Sequence, residues 1–182
     1  MTLPTPRLPP LNEADAPPEA VQILRDWPYN LHRVLARNVP TLTRWMPYAE
    51  HILRENTLPP RDREIAILRV AWNTQSAYEW GLHARLARTL GFSDSDLNEI
   101  ARGGAGNAHW LEHESALIDG VDQMMSDWEI GDATWSILSD HYDDRQLIDF
   151  VFVTCQFILV AVTLKSLRVP LEQGIEPLPG RS

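Results

Sequence analysis

A chain of 182 residues with 44% hydrophobic content supports one domain of ordinary size around a single core, which excludes a second catalytic domain. A net charge of -9 and a pI near 5.0 set long-range repulsion against nucleic acid and anionic membrane surfaces, so neither is expected as a partner. The single cysteine, Cys155, excludes an intramolecular disulfide, a CxxC redox pair and a thiolate metal cage.

Residues 1–17 are proline-rich and poor in bulky apolar groups, and read as an extended arm lying over the body or over a neighbouring subunit. They lack the layout of a signal peptide, and no apolar run reaches the roughly 18 to 20 residues that span a bilayer, so a cytoplasmic location is the default expectation. The body, residues 18–182, opens near Pro18 and reads as helical almost throughout. Leu42, Trp45, Met46, Ala49, Ile52 and Leu53 repeat at three and four, the spacing of one buried helix face. Pro59 and Pro60 open a second helix that presents Ile65, Leu68, Ala71 and Trp72, because proline is tolerated in a first turn. After an NTQ break, SAYEWGLHARLARTLG has helical spacing through Leu82, Leu86 and Leu90 and stops at Gly91. Ser93 caps the short helix DSDLNEIA, and GGAGN closes it. Two helices follow at roughly 111–126 and 132–142. The last segment, about 144–165, carries LIDFVFVTCQFILVAVTL. Its β-branched and aromatic residues would suit a strand, but its length without a turn signal predicts a buried helix at a core or subunit interface. The expected fold is therefore all-α, a single-domain helical bundle with an extended N-terminal arm. The sequence holds no internal repeat and no Gly-rich phosphate loop.

Chemistry concentrates in residues 58–100. Glu79 and His83 are four apart, which puts them on one helix face. Glu64 lies on the preceding helix, and an antiparallel hairpin would bring its carboxylate to the same place. A histidine flanked by two carboxylates is a proton-transfer device. Each residue also has a plainer reading. Ser76-Ala-Tyr-Glu79 has the pattern of a capping box, His83 that of a satisfied core or edge histidine, and Glu64 that of a solvated acid paired with Arg61 or Arg63. His109, Glu112 and His113 match H-x-x-E-H, a zinc-peptidase pattern, but no third ligand is recognisable in sequence. The seven tryptophans fit core packing, while Trp72, Trp80 and Tyr78 lie close enough in sequence to wall a pocket for a flat substrate.

This stretch resembles the carboxymuconolactone decarboxylase family, which includes thiol peroxidases similar to alkylhydroperoxidase D. Peroxidase members carry a glutamate and then CxxCxxxH on the next helix; here Glu64, Ser76, Glu79 and His83 fall at those positions, so both cysteines are replaced. Glu79 four residues before His83 looks like the lactone decarboxylase version. The resemblance extends more loosely over residues 40–165. It implies an alkylhydroperoxidase D-like helical bundle, a homo-oligomer (dimer, trimer or hexamer) and a small-molecule substrate.

Peroxide reduction needs an attacking thiolate and a resolving thiol, and the Ser76 hydroxyl provides neither. Cys155, within VFVTCQF, reads as an inert buried thiol. Peroxidase activity is thus disfavoured, and the expectation is a lyase-like enzyme performing decarboxylation or a related isomerase step on a small lactone or carboxylic acid. His83, Glu64 and Glu79 are its catalytic residues, and Ser76, Trp80, Tyr78 and Trp72 its substrate-binding residues, with Arg85 or Arg88 available to a substrate carboxylate. No cofactor and no metal are expected. The rival is a non-catalytic oligomeric binding protein on the same scaffold.

Overall fold

The computed structural model describes residues 5–175 and 178–179; the first four residues of the arm and the end of the 18–182 body lie outside them. Among the described residues there is no strand, and the order is α1 (Pro18–Asp26), α2 (Asn30–Leu35), α3 (Val39–Glu50), α4 (Pro60–Asn73), α5 (Ala77–Thr89), α6 (Asp94–Arg102), α7 (Glu112–Ser126), α8 (Asp132–His141) and α9 (Asp144–Leu167). The all-α expectation holds. The short helices α1 and α2 are additions that periodicity does not resolve, since each spans too few turns to repeat a pattern.

Helix α4 is the axis of the bundle. Pro60 opens it, nothing inside it breaks it, and every residue from Glu64 to Ala71 is buried, because α5, α7 and α9 all pack against it. A helix buried all round must satisfy its polar groups internally. Arg69 does so with a two-pronged pair to Asp122 of α7 (Nε to Oδ1 2.6 Å, Nη2 to Oδ2 2.7 Å) and with Nη1 donating to the carbonyl of Ile100 at 2.6 Å. One guanidinium thus ties α4, α6 and α7. Between α4 and α5 the chain reverses through Gln75, whose φ of 54° closes the turn in the left-handed region. This makes α4 and α5 an antiparallel hairpin. Gly91 follows α5 with φ 89°, and Ser93 caps α6 in a full capping box with Asp96, as the sequence indicates.

The arm lies on its own chain. Arg7 donates its backbone N–H to Leu167 at 3.1 Å and its guanidinium to Ser166 at 2.8 Å, while Arg37 donates to the carbonyl of Pro9 at 3.0 Å. Helix α9 departs from the reading of all-round burial. Phe150, Val153, Phe157 and Ala161 face the core, but Ile148, Phe152, Leu159 and Val162 are more than half exposed, and Cys155 lies on that outer stripe. The buried-thiol reading of Cys155 is therefore corrected: an apolar sequence on all sides does not say which side the bundle covers. The sequence reading also found no segment long enough to span a bilayer, whereas α9 reaches that length and composition; half of its most apolar window is buried in the bundle, the pattern of a core helix.

Candidate active site

Glu64 and His83 meet. Glu64 is completely buried on α4, and its Oε2 accepts from His83 Nδ1 across the hairpin at 2.7 Å. The Arg63 guanidinium stands 3.5 Å from the other carboxylate oxygen. A carboxylate on Nδ1 makes that nitrogen the donor, fixes the ring and leaves Nε2 as the reactive nitrogen. Phe157 of α9 holds the ring edge-on, with centroids 4.8 Å apart. The solvated-acid reading of Glu64 is excluded by its burial.

His83 lines a cavity of about 430 Å³. Glu79, one turn earlier on α5, lines the same cavity. The capping box that the sequence pattern offers for Glu79 is absent: Ser76 stands at the N-cap, yet neither its hydroxyl nor either Glu79 oxygen has a hydrogen-bond partner among the described residues. Both side chains are 2% exposed. Burial pushes the Glu79 carboxyl up to about 8, while the nearby Ser76 hydroxyl, outside hydrogen-bonding geometry, pulls the other way. At neutral pH Glu79 is largely a neutral acid. The i,i+3 spacing that suggests a cap and the i,i+4 spacing shared with His83 belong to the same residue; here no cap forms, and both residues line one cavity.

The remaining sequence-designated residues divide. Tyr78 lines the cavity, and its hydroxyl donates to Glu172 at 2.6 Å while accepting from the backbone N–H of Leu31 at 3.3 Å. Burial raises the Tyr78 hydroxyl above its ordinary value, and the bond to Glu172 adds to that. Ser76, Trp72 and Trp80 do not line the cavity. The two indoles pack edge to face at 5.8 Å in and against the main core. Arg88 is turned to Asp94 at 3.1 Å, whereas Arg85 lines the cavity.

The opposite wall comes from residues that the sequence reading passes over. Trp27 and Tyr29, from the link between α1 and α2, and His32 of α2 join Trp45 of α3 around the cavity. His32 is buried among the three rings at 5.5 to 6.0 Å, and burial lowers it to about 4, so it is a neutral imidazole. Its Nδ1 and the Trp45 indole N–H are both without a partner. Gln156, a lone amide in the apolar run of α9, is also on the wall. Its polarity among apolar neighbours is the one signal that sequence could have used. Exposed Arg54, stacked 4.4 Å above Trp27, and exposed Arg85 mark the mouth, giving an acidic molecule a locally positive entrance.

Residues 40–117 match the Carboxymuconolactone decarboxylase family. Among solved structures, a peroxidase-related protein with an alkylhydroperoxidase AhpD core from Ralstonia eutropha JMP134 superposes with a TM-score of 0.79 at 16% identity, covering 94% of this chain and 95% of that one. A peroxidase-related protein from Silicibacter sp. TM1040 gives 0.77 at 20% identity, with 96% and 97% covered. The debrominase Bmp8, in complex with 2,3,4-tribromopyrrole, gives 0.74 at 11% identity, with 91% of each chain covered. At these identities the likeness is one of fold. No curated protein matches the chain significantly.

Proposed function

From residues 40–117 belonging to the carboxymuconolactone decarboxylase family, we propose that the chain is an acid–base enzyme acting on a small carboxylated lactone or related acid, by decarboxylation or a kindred isomerisation. The observation that carries this is Glu79: a buried carboxyl with no protein partner, on the wall of the cavity that also receives His83. An unsatisfied buried polar group costs about 1 to 3 kcal/mol, and a ligand that hydrogen-bonds to it recovers that cost.

In decarboxylation the carbon–carbon bond to the carboxylate breaks, carbon dioxide leaves, and the electron pair passes onto the lactone carbonyl. Glu79, neutral through burial, donates a hydrogen bond to that oxygen as charge develops on it. His83 in its doubly protonated form, with Nδ1 directed to Glu64, gives the Nε2 proton to the carbon, and a proton taken up from solvent then restores it. Trp27, Trp45 and Phe157 exclude water, and Arg54 and Arg85 draw in the anion. Thiol peroxidation is disfavoured because Ser76 and Glu79 occupy the two cysteine positions and Cys155 lies on the outer face of α9.

The test is turnover of a panel of small carboxylated lactones. Glu79→Gln and His83→Gln should each lower kcat by roughly 10² to 10⁴, while Arg85→Ala should raise KM with little change in kcat. Unchanged turnover in both Gln variants would reject the assignment. A binding protein on this scaffold would take up the same compounds and convert none.

A further inference from the structure

A second cluster of ligating side chains lies outside the cavity, where α4 begins and α7 and α8 meet. Asp62, in the first turn of α4, is only 5% exposed. Its Oδ2 accepts from the Tyr142 hydroxyl at 2.7 Å, and it has no ion pair with lysine or arginine among the described residues. Facing it are His113, the second residue of α7, and His141, the last of α8. Their rings stack with centroids 3.7 Å apart and planes 6° from parallel. One ligand atom from each of Asp62, His113 and His141 falls within 4.8 Å of the others.

We propose that Asp62, His113 and His141 bind a divalent transition-metal ion of the zinc class, which pins the α7 and α8 pair to the start of α4. Two imidazole nitrogens and one carboxylate oxygen suit zinc, cobalt or nickel far better than magnesium or calcium, which prefer all-oxygen shells. A divalent ion would take a lone pair from one nitrogen of each ring and face the Asp62 carboxylate directly. Tyr142 supplies the outer-shell hydrogen bond that holds a ligating carboxylate in place. The ligand edge of a tetrahedral zinc site is about 3.4 Å, given zinc–nitrogen distances near 2.0 to 2.1 Å. The wider spread closes by rotation of His141, which is exposed. A fourth position remains open to water on that side.

This arrangement recasts the H-x-x-E-H pattern. Its first histidine is not a ligand: His109 bonds to Asp96 through Nε2 at 2.8 Å. Its last, His113, finds partners that are distant in sequence. None of the three residues lines the 430 Å³ cavity, so the site is separate from the proposed chemistry.

The experiment titrates chelator-treated full-length protein with zinc chloride by calorimetry, and with cobalt chloride by visible absorption. One zinc per chain is expected, with tetrahedral cobalt bands and a thermal midpoint that rises on adding zinc. His113→Ala and His141→Ala should each weaken binding by at least about tenfold, and Tyr142→Phe by roughly tenfold; circular dichroism verifies that each variant is folded. His109→Ala should bind as the parent does. Absence of zinc binding by the parent, or parent-like binding by the folded His113→Ala/His141→Ala double variant, would overturn the proposal. So would loss of binding in His109→Ala.

Discussion

Ionising Glu79 leaves a buried charge with no hydrogen-bond donor among the described residues, and the consequence reaches stability as well as chemistry. Its carboxyl titrates near 8 in the folded chain against an ordinary 4.5, so the native state keeps a proton that the unfolded chain releases between those values. Stability therefore falls as pH rises from about 4.5 to 8 and is flat beyond. At 1.36 kcal/mol per pH unit the full loss is on the order of 5 kcal/mol. Glu79→Gln cannot ionise, so it should match the parent near pH 5 and exceed it near pH 8 in urea unfolding. Parallel profiles for the two proteins would mean that Glu79 is hydrated. The same residue shows the reach of sequence reasoning. Helical spacing placed Glu64 opposite His83 because a hairpin leaves few alternatives. It did not separate Glu79 as a cap from Glu79 as a cavity acid, since both uses need the same helix position. Trp72 and Trp80 were placed by nearness in sequence, and a helix turns such neighbours toward different faces.

At the scale of elements, the seat of the Phe150 ring of α9 against α7 rests on Gly120. A Cβ there would lie 3.0 Å from the Phe150 ring, which is fully buried and cannot withdraw. Gly120→Ala gains helix propensity of up to about 1 kcal/mol, but overpacking costs about 1 to 3 kcal/mol. A net loss of stability is expected, read as a lower urea midpoint at unchanged slope. A gain would show that the Phe150 ring shifts easily. The long helices were legible because proline starts, glycine stops and capping residues agree with their periodicity. Helices α1 and α2 were not, and with them went the Trp27, Tyr29 and His32 wall: short segments gain their helicity from packing, which one-dimensional patterns do not record.

For the whole molecule, the expectation of a homo-oligomer falls on the outer stripe of α9. Ile148, Phe152, Leu159 and Val162 recur at spacings of four, seven and three along 24 residues, with Cys155 filling the gap in the seam. We expect a homo-oligomer paired along this stripe, and Phe152→Glu should dissociate it. Sedimentation of the parent as a monomer at micromolar concentration would contradict the expectation.

The clamp around Glu172 bears on how the molecule folds. Glu64 and His83 are 19 residues apart on one hairpin, a contact that closes a short loop. Tyr78 and Asn30 reach Glu172 across 94 and 142 residues, by bonds of 2.6 and 2.5 Å. Loop-closure entropy grows with that separation, and contacts of high sequence separation slow folding. The reactive pair can therefore form while the chain is still largely open, whereas the wall carrying Leu31 and His32 is secured only when residues near 172 return to it. Local opening of that late segment would unlatch the aromatic wall and leave the Glu64–His83 bond intact, so the cavity and its chemistry sit in regions of different local stability.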